Sequence, residues 1–515
     1  MTAGTPSDRP SPASAGDGTG GVPLPGISLC MIVRNEERFL GGALASLRDV
    51  VDEMCLVDTG STDGTVAVAE RFGARVKSAA WRDDFAWARN QALAMARHAW
   101  ILVLDADEEL DPGSRDALRA LGRLAPDGRG RWIRCRNLQD DVRGTGAASN
   151  ALVRIFPNDS HIRYRGRIHE YVAREGEPHA LAAVVTPIEI VHHGYLSTVM
   201  AERGKGERNL RVSRAGYDAD PDDPANVYAY ATSLLLAGER AGARAMFERV
   251  CAMTEHTPRG FRPQAMLMLA KLQLEDGQAD LALATIDRSI EIVSSLPDAH
   301  FLRGKVLAQA GRNEDARQAF QAAIAAGRHA GEQFVVDDEI AIWKAANEIA
   351  VTLMVERRHA EALRWLDAAL AARPAAQPLV INRARCREAA GDVEGALIAF
   401  RAAFEAFRDE PAAIEYLNFV LRHGGPDVCR MATEAVLPCV GEDYQSVFLT
   451  STAAVMLRAE RESEARDLLE RALAVGDPVR ARATVSAMVE HFAVPGLAGL
   501  LLRHSDQPSA QERAR

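Results

Sequence analysis

The chain has no excess of basic charge, no long apolar run and no closely spaced cysteine pair. Its 515 residues carry 61 Lys and Arg against 71 Asp and Glu, a net charge of -10. A broad nucleic-acid footprint needs concentrated positive charge, so no nucleic-acid partner is expected. No stretch approaches the roughly 20 apolar residues that cross a bilayer, so no transmembrane segment is expected. The seven cysteines (Cys30, Cys55, Cys135, Cys251, Cys386, Cys429 and Cys439) include no C-x-x-C pair. Several lie in apolar runs such as Ser28-Leu-Cys30-Met-Ile32, which suits reduced core thiols and a cytoplasmic location. Residues 1–26 are rich in Gly, Pro, Ser, Thr and Asp without an apolar signal core, and read as a disordered leader.

What is present divides into two halves. From Ile27 to about Tyr195, short apolar runs (Ile27–Val33, Glu53–Asp58, Trp100–Leu104) alternate with helical stretches (Glu36–Arg48, Gly64–Phe72, Arg89–Ala99). Strands buried on both faces look like this, and strand–helix alternation indicates a parallel sheet. Later runs at Arg131–Arg136, Ala151–Phe156 and Val184–His192 add further strands. This half reads as an α/β domain.

After about Asp222, alanine-rich helical patterns repeat. A turn Gly, then Ala, a bulky residue and a small residue recur at Gly311/Ala316/Phe320/Ala323, at Gly391/Ala396/Phe400/Ala403 and at Gly238/Ala243/Phe247. Substituted versions start at Gly277, Arg357 and Glu460. Twelve residues before each key alanine stands a second small residue: Ala231, Ala270, Gly304, Ala350, Ala384 or Ala453. The step from Ala282 to Ala316 and from Ala362 to Ala396 is 34 residues, with room for a degenerate repeat around 411–440. Such a period, with small residues where paired helices touch, predicts a helical solenoid. The expected domains are a leader (1–26), an α/β domain (27–200), a linker helix (201–221) and the repeats (222–515).

Three elements carry chemistry. Asp58 ends a strand and opens the Gly/Ser/Thr turn to Asp63-Gly64, where open α/β sheets bind ligands; Asp-Gly turns are also common without one, and Asp63 suits a helix cap. Asp105-Ala-Asp107 follows an apolar strand, and alternation along an extended chain places both carboxylates on one side. Such a pair attracts Mg²⁺ or Mn²⁺ together with phosphates, or else forms an acidic loop capping the helix near Asp111-Pro112. The segment Asp83-Asp84-Phe-Ala-Trp-Ala-Arg89-Asn90 offers a guanidinium fork and an amide.

Together with Cys30-Met-Ile-Val33-Arg-Asn35-Glu36-Glu37, these motifs stand in an order that resembles family 2 glycosyltransferases of the GT-A fold fused to tetratricopeptide repeats. The expected fold is thus a GT-A, Rossmann-like nucleotide-diphospho-sugar transferase domain followed by an all-α solenoid. The resemblance implies that Val33, Asn35, Glu36, Asp58, Asp84, Arg89, Asn90 and Asp105 line the nucleotide pocket. It implies Asp105 and Asp107 as the D-x-D pair, with Asp107 the direct metal ligand, and His192 as the late histidine returning to the metal, with His193 in the place of an aromatic residue. Glu170, in Tyr164-Arg-Gly-Arg-Ile-His169-Glu170, matches the acceptor side and suits the general base; pairing with Arg154, Arg165 or Arg167 is the structural alternative, and Asp140 and Asp141 are further base candidates. Lys205-Gly-Glu-Arg208-Asn209 resembles the linker helix, with Gly206 departing from the pattern and Lys205 or Arg208 offered to phosphate.

The implied function is inverting, metal-dependent transfer of a sugar from a nucleotide-sugar donor, UDP-linked, to a peptide, protein or glycan acceptor, as in a hexosyltransferase. The repeats would recognise the acceptor or form a homodimer. The alternative is an interaction scaffold whose transferase half binds nucleotide sugar with little turnover. A nucleotidyltransferase is disfavoured by the lack of a Gly-rich basic phosphate loop near the N-terminus.

Overall fold

The computed structural model of the chain describes residues 23–139, 148–177, 180–195, 205–253, 261–327, 335–475 and 478–492. Most of the expected leader, and the candidates Asp140 and Asp141, lie outside these residues. The first strand already begins within the last residues assigned to that leader.

Strands β1 (Leu24–Val33), β2 (Glu53–Asp58), β3 (Arg75–Ser78) and β4 (His98–Val103) run parallel in the order β3-β2-β1-β4. Helices α1 (Glu37–Ser46), α2 (Thr65–Arg71) and α3 (Phe85–Leu93) connect them. Successive residues of β1 serve opposite faces: Leu29 and Met31 join a core with Leu40 and Leu44, whereas Cys30 joins one with Cys55, Ala86 and Ala92. Both faces are covered, so the strand reads as an unbroken apolar run.

Beyond β4 the sheet changes direction. Strands β5 (Glu108–Leu110), β6 (Gly130–Gln139), β7 (Ala148–Pro157) and β10 (Ala183–Tyr195) continue it in the order β4-β7-β6-β10-β5. β7 is antiparallel to β4, and β5 is antiparallel to β10. Strands β8 (Ile162–Arg165) and β9 (Tyr171–Arg174) form a separate antiparallel pair. The sheet is therefore mixed, parallel only over its first four strands. Strands β3, β5, β8 and β9 hold three or four residues each, too few to register as a periodic pattern. The helix expected over Arg89–Ala99 lies earlier because the Asp84 carboxylate accepts the Trp87 amide at 2.8 Å and caps its start.

Two further helices, α4 (Arg115–Gly122) and α5 (Lys205–Ala219), and then α6 (Pro224–Leu236), belong to the same compact unit, which runs to Glu239. Side-chain contacts hold α5 to α6 and to the start of α3. Arg211 makes a two-pronged bond to Asp83, Arg208 lies 5.4 Å from the Phe85 ring, and Tyr217 of α5 stacks on Tyr230 of α6 at 5.2 Å.

From Arg240 onward the described residues of the second unit are mainly helical, with one two-residue strand at Val335–Val336. Each key alanine (Ala243, Ala282, Ala316, Ala362, Ala396 and Ala465) is fully buried, as are Ala231, Ala270, Ala350, Ala384 and Ala453. Gly304 shows why these positions stay small: a Cβ there would meet the Phe320 ring at 2.5 Å. Gly238, Gly277, Gly311 and Gly391 adopt φ between 74° and 86°, and Arg357 and Glu460, which replace the turn glycine, keep the left-handed backbone at φ 61°. The degenerate repeat is a helix pair, Glu410–His423 and Pro426–Val436. Ion pairs Arg422–Glu388, Arg430–Glu464 and Arg461–Asp427 link positions one repeat apart. Among the described residues, no helix is long and apolar enough to cross a membrane.

Candidate active site

The carboxyl ends of β1 and β2 are level, with Val33 opposite Asp58. The two loops that follow are laced together. Asn35 turns the chain at φ 54°, donates its amide to Ser61 Oγ and accepts from the Thr62 amide at 2.8 Å. The Glu36 amide donates to Thr65 Oγ1, and Glu37 accepts from the Gly64 amide. Asp63 accepts from the Thr65 amide at 3.1 Å. Asp58 is buried, and its carboxylate accepts the amides of Gly60 and Ser61. These bonds fix a carboxylate at the strand end, in the crevice where α/β sheets take ligands.

Two strands away the site is ionic. Asp105 lies two residues beyond Val103, which is level with Cys30. Its Oδ1 accepts from Arg89 Nη2 at 2.8 Å, and its Oδ2 from Arg154 Nη2 at 3.0 Å. Arg89 Nε reaches Glu170 Oε1 at 2.5 Å, and Arg154 Nη2 reaches Glu108 Oε1 at 2.8 Å. Glu108 Oε2 in turn accepts the Asp105 amide. A row Glu170–Arg89–Asp105–Arg154–Glu108 results, drawn from α3, the β4–β5 turn, β7 and the β8–β9 connection. Burial alone would raise the Asp105 carboxyl, but the two guanidiniums outweigh it and hold it well below the usual carboxylate range. Glu108 is raised, chiefly by burial.

Asp105 and Asp107 take different partners. The chain turns at Ala106-Asp107, with the Glu108 amide bonded to the Asp105 carbonyl, so strand alternation does not apply. Asp107 instead meets β10. Pairing of Glu108 with His192, and a bond from the His193 amide to the Asp107 carbonyl, bring His192 Nε2 to 3.4 Å from Asp107 Oδ1. His193 faces Glu109 on the other side of the strand, at 3.6 Å. Burial would lower His192, yet Asp107, Glu108 and Asp105 together raise it.

This donor pair could share one divalent cation: a buried carboxylate oxygen and an imidazole nitrogen lie near the roughly 3 Å separation of adjacent ligands on one ion. Arg89 Nη1, Arg154 Nε and Tyr164 OH are buried without a hydrogen-bond partner, as donors for an anionic group would be. Glu108, Cys135 and His192 also form a group able to hold a metal, their ligand atoms within 4.8 Å of one another. Burial pushes the Cys135 thiol well up.

Other expected residues stand elsewhere. Asp84 caps α3, and both ends of the Asn90 amide are spent on the Tyr164 backbone, at 2.9 and 3.0 Å. Glu170 pairs with Arg89, not with Arg154, Arg165 or Arg167. Lys205 opens α5, and Arg208 lies against Asn209 and Phe85. Sequence reasoning gave no role to Glu108 or Cys135 and offered Arg154 only as a partner for Glu170. An arginine inside the apolar run Leu152-Val-Arg154-Ile-Phe156 was the available signal, since a buried charge needs partners.

Residues 28–123 match the family described as Glycosyl transferase family 2, and residues 198–337 match a tetratricopeptide repeat-like domain. A TPR repeat-containing protein of Synechococcus elongatus is 34% identical over 272 residues, 51% of this chain and 65% of that protein. The SPbeta prophage-derived glycosyltransferase SunS of Bacillus subtilis is 23% identical over 214 residues, 41% of this chain and 50% of that protein. An uncharacterized glycosyltransferase of Rickettsia felis is 38% identical over 92 residues, 18% of this chain and 32% of that protein. The chain therefore spans between about a third and two thirds of the length of these relatives. A solved tetratricopeptide repeat protein from Parabacteroides merdae covers 54% of this chain and 99% of itself at 11% identity and a TM-score of 0.37. The chain carries a family 2 glycosyltransferase domain, followed by tetratricopeptide-like repeats.

Proposed function

We propose that the protein is an inverting hexosyltransferase that moves a sugar from a UDP-linked donor to a peptide, protein or glycan acceptor. The observation that carries this reading is that Asp58, the Arg89–Asp105–Arg154 row and the Asp107–His192 pair stand along one edge of the sheet, at the carboxyl ends of β2 and β4. Asp58 and the loop held by Asn35 and Glu36 would take the base and ribose, below Val33. Arg89 would present its spare Nη1 to the diphosphate. Asp107 and His192 would hold Mg²⁺ or Mn²⁺, which supplies charge neutralisation for the departing diphosphate.

In the transfer step the acceptor heteroatom bonds to the anomeric carbon, the bond from that carbon to the diphosphate oxygen breaks, and the diphosphate leaves with the electron pair. Glu170 receives the acceptor proton. Its carboxylate is held by Arg89, so base and donor-side groups share one fixed frame. The repeats would recognise the acceptor or join two copies, in a cytoplasmic protein; the domain limits 27–200, 201–221 and 222–515 are proposed on the same basis.

A panel of nucleotide sugars with Mn²⁺ tests this, read by thermal shift and by release of nucleotide. One donor should raise the melting temperature and be turned over only with metal. Donor binding without any turnover would favour the scaffold reading. No effect of any donor would overturn both.

A further inference from the structure

The turn after β4 carries Asp105, Asp107 and Glu108, and the fold gives two of them to one internal cation. Both bonds from Arg154 leave a single nitrogen: Nη2 stands 3.0 Å from Asp105 Oδ2 and 2.8 Å from Glu108 Oε1. The same Glu108 Oε1 lies 4.0 Å from Cys135 Sγ. Glu108, Cys135 and His192 would otherwise compose a carboxylate, thiol and imidazole set, all buried or half-buried, with ligand atoms within 4.8 Å. That mixture is suited to zinc and other thiophilic ions, not to Mg²⁺. It also draws on His192, whose Nε2 stands 3.4 Å from Asp107 Oδ1, so an ion in the triad would compete with Asp107 for that ring.

Resting on the proposed metal role of Asp107 and His192, we propose that Arg154 is a resident counter-ion: it keeps thiophilic metals out of the Glu108–Cys135–His192 triad and so reserves His192 for Asp107. A guanidinium suits this task because it stays charged at any working pH and cannot be displaced by losing a proton. Its side chain is only 11% exposed and that of Glu108 2%, so water does not substitute for it. Without it, the buried Glu108 carboxylate stands beside the half-buried Asp105 and a buried thiol with no cation between them, and an incoming zinc ion would restore the missing charge. Arg154 acts through its neighbours, as a positioning residue.

The test is a Cd²⁺ titration of the full chain, followed by the ultraviolet charge-transfer band of a metal thiolate. Arg154→Met should show a band that Arg154→Met/Cys135→Ser lacks, and the unaltered protein should show no Cys135-dependent band at the same concentration. Zn²⁺ should inhibit donor hydrolysis by Arg154→Met at concentrations lower by about tenfold, the scale on which groups around a metal alter affinity. Arg154→Lys, which keeps the charge, should show no Cys135-dependent band in the same Cd²⁺ titration. A Cys135-dependent band equal in the unaltered and Arg154→Met proteins, or absent from both, overturns the proposal. If Arg154→Met fails to fold by circular dichroism, Arg154→Gln, whose amide still donates to one carboxylate, carries the same comparison. The Cd²⁺ band needs no turnover, so failure of donor hydrolysis in the unaltered protein overturns glycosyl transfer while the band still decides the role of Arg154.

Discussion

Arg89 and Glu170 stand 81 residues apart in the chain and 2.5 Å apart in the fold. The bond joins α3 to the connection between β8 and β9, and it ties the proposed base to the group that also holds Asp105. The proposed acid–base chemistry is therefore sensitive to residues that never meet the acceptor.

Glu170→Gln keeps a hydrogen-bond acceptor for Arg89 and removes the basic oxygen. Transfer should fall by about 10²- to 10⁴-fold, while donor affinity stays within about twofold. Steady-state kinetics with donor titration separates the two. Equal loss of both would mean that Glu170 only shapes the pocket.

Asp105 and Asp107 should fail differently. Asp105→Asn removes the charge between two buried guanidiniums, and a stability loss of about 1–3 kcal/mol is expected, below that of a fully buried network because a third of the Asp105 side chain meets solvent. Asp107→Asn should leave unfolding nearly unchanged and abolish the stabilisation given by Mn²⁺ with donor. Denaturant melts with and without Mn²⁺ and donor check both. Metal-dependent stabilisation that survives in Asp107→Asn would remove Asp107 from the metal site.

Asn90 spends its amide on the Tyr164 backbone. Asn90→Ala should cost about 1–3 kcal/mol of stability, through the backbone groups it leaves unpaired. Donor KM should change by less than about twofold. A large rise in KM at unchanged stability would return Asn90 to the nucleotide pocket.

In the repeats, burial and the nearby Asp337 push the Asp298 carboxyl up to about 6. The folded state then holds a proton that the unfolded chain has released above its ordinary value of 3.8. The resulting stability is complete below about pH 4 and is lost as pH rises through about 6, a change of roughly 2–3 kcal/mol. Melts from pH 5 to 7.5 should fall more steeply for the unaltered protein than for Asp298→Asn. Parallel pH profiles would show that Asp298 does not titrate in this range.

How much of this was legible depends on the range of the interaction. The 34-residue repeat and its buried alanines could be read directly, because each repeat packs on its sequence neighbours and the same small residue is needed at each contact. The parallel strands β1, β2 and β4 could be read because burial on both faces demands unbroken apolar runs. Strands β3, β5, β8 and β9 could not, being too short to carry a period.

The site divides along the same line. The sequence by itself determined which chemical groups exist: a carboxylate after β2, an acidic turn after β4, an arginine in α3 and a histidine pair late in the domain. Only the tertiary structure decided how they are shared. After the turn at Ala106-Asp107 the two carboxylates take different partners: the β5–β10 ladder gives Asp107 to His192, and β7 brings Arg154 to Asp105 and Glu108. Charges in a low-dielectric interior must find partners across whatever strands the sheet sets side by side, and spacing along the chain carries no record of that order.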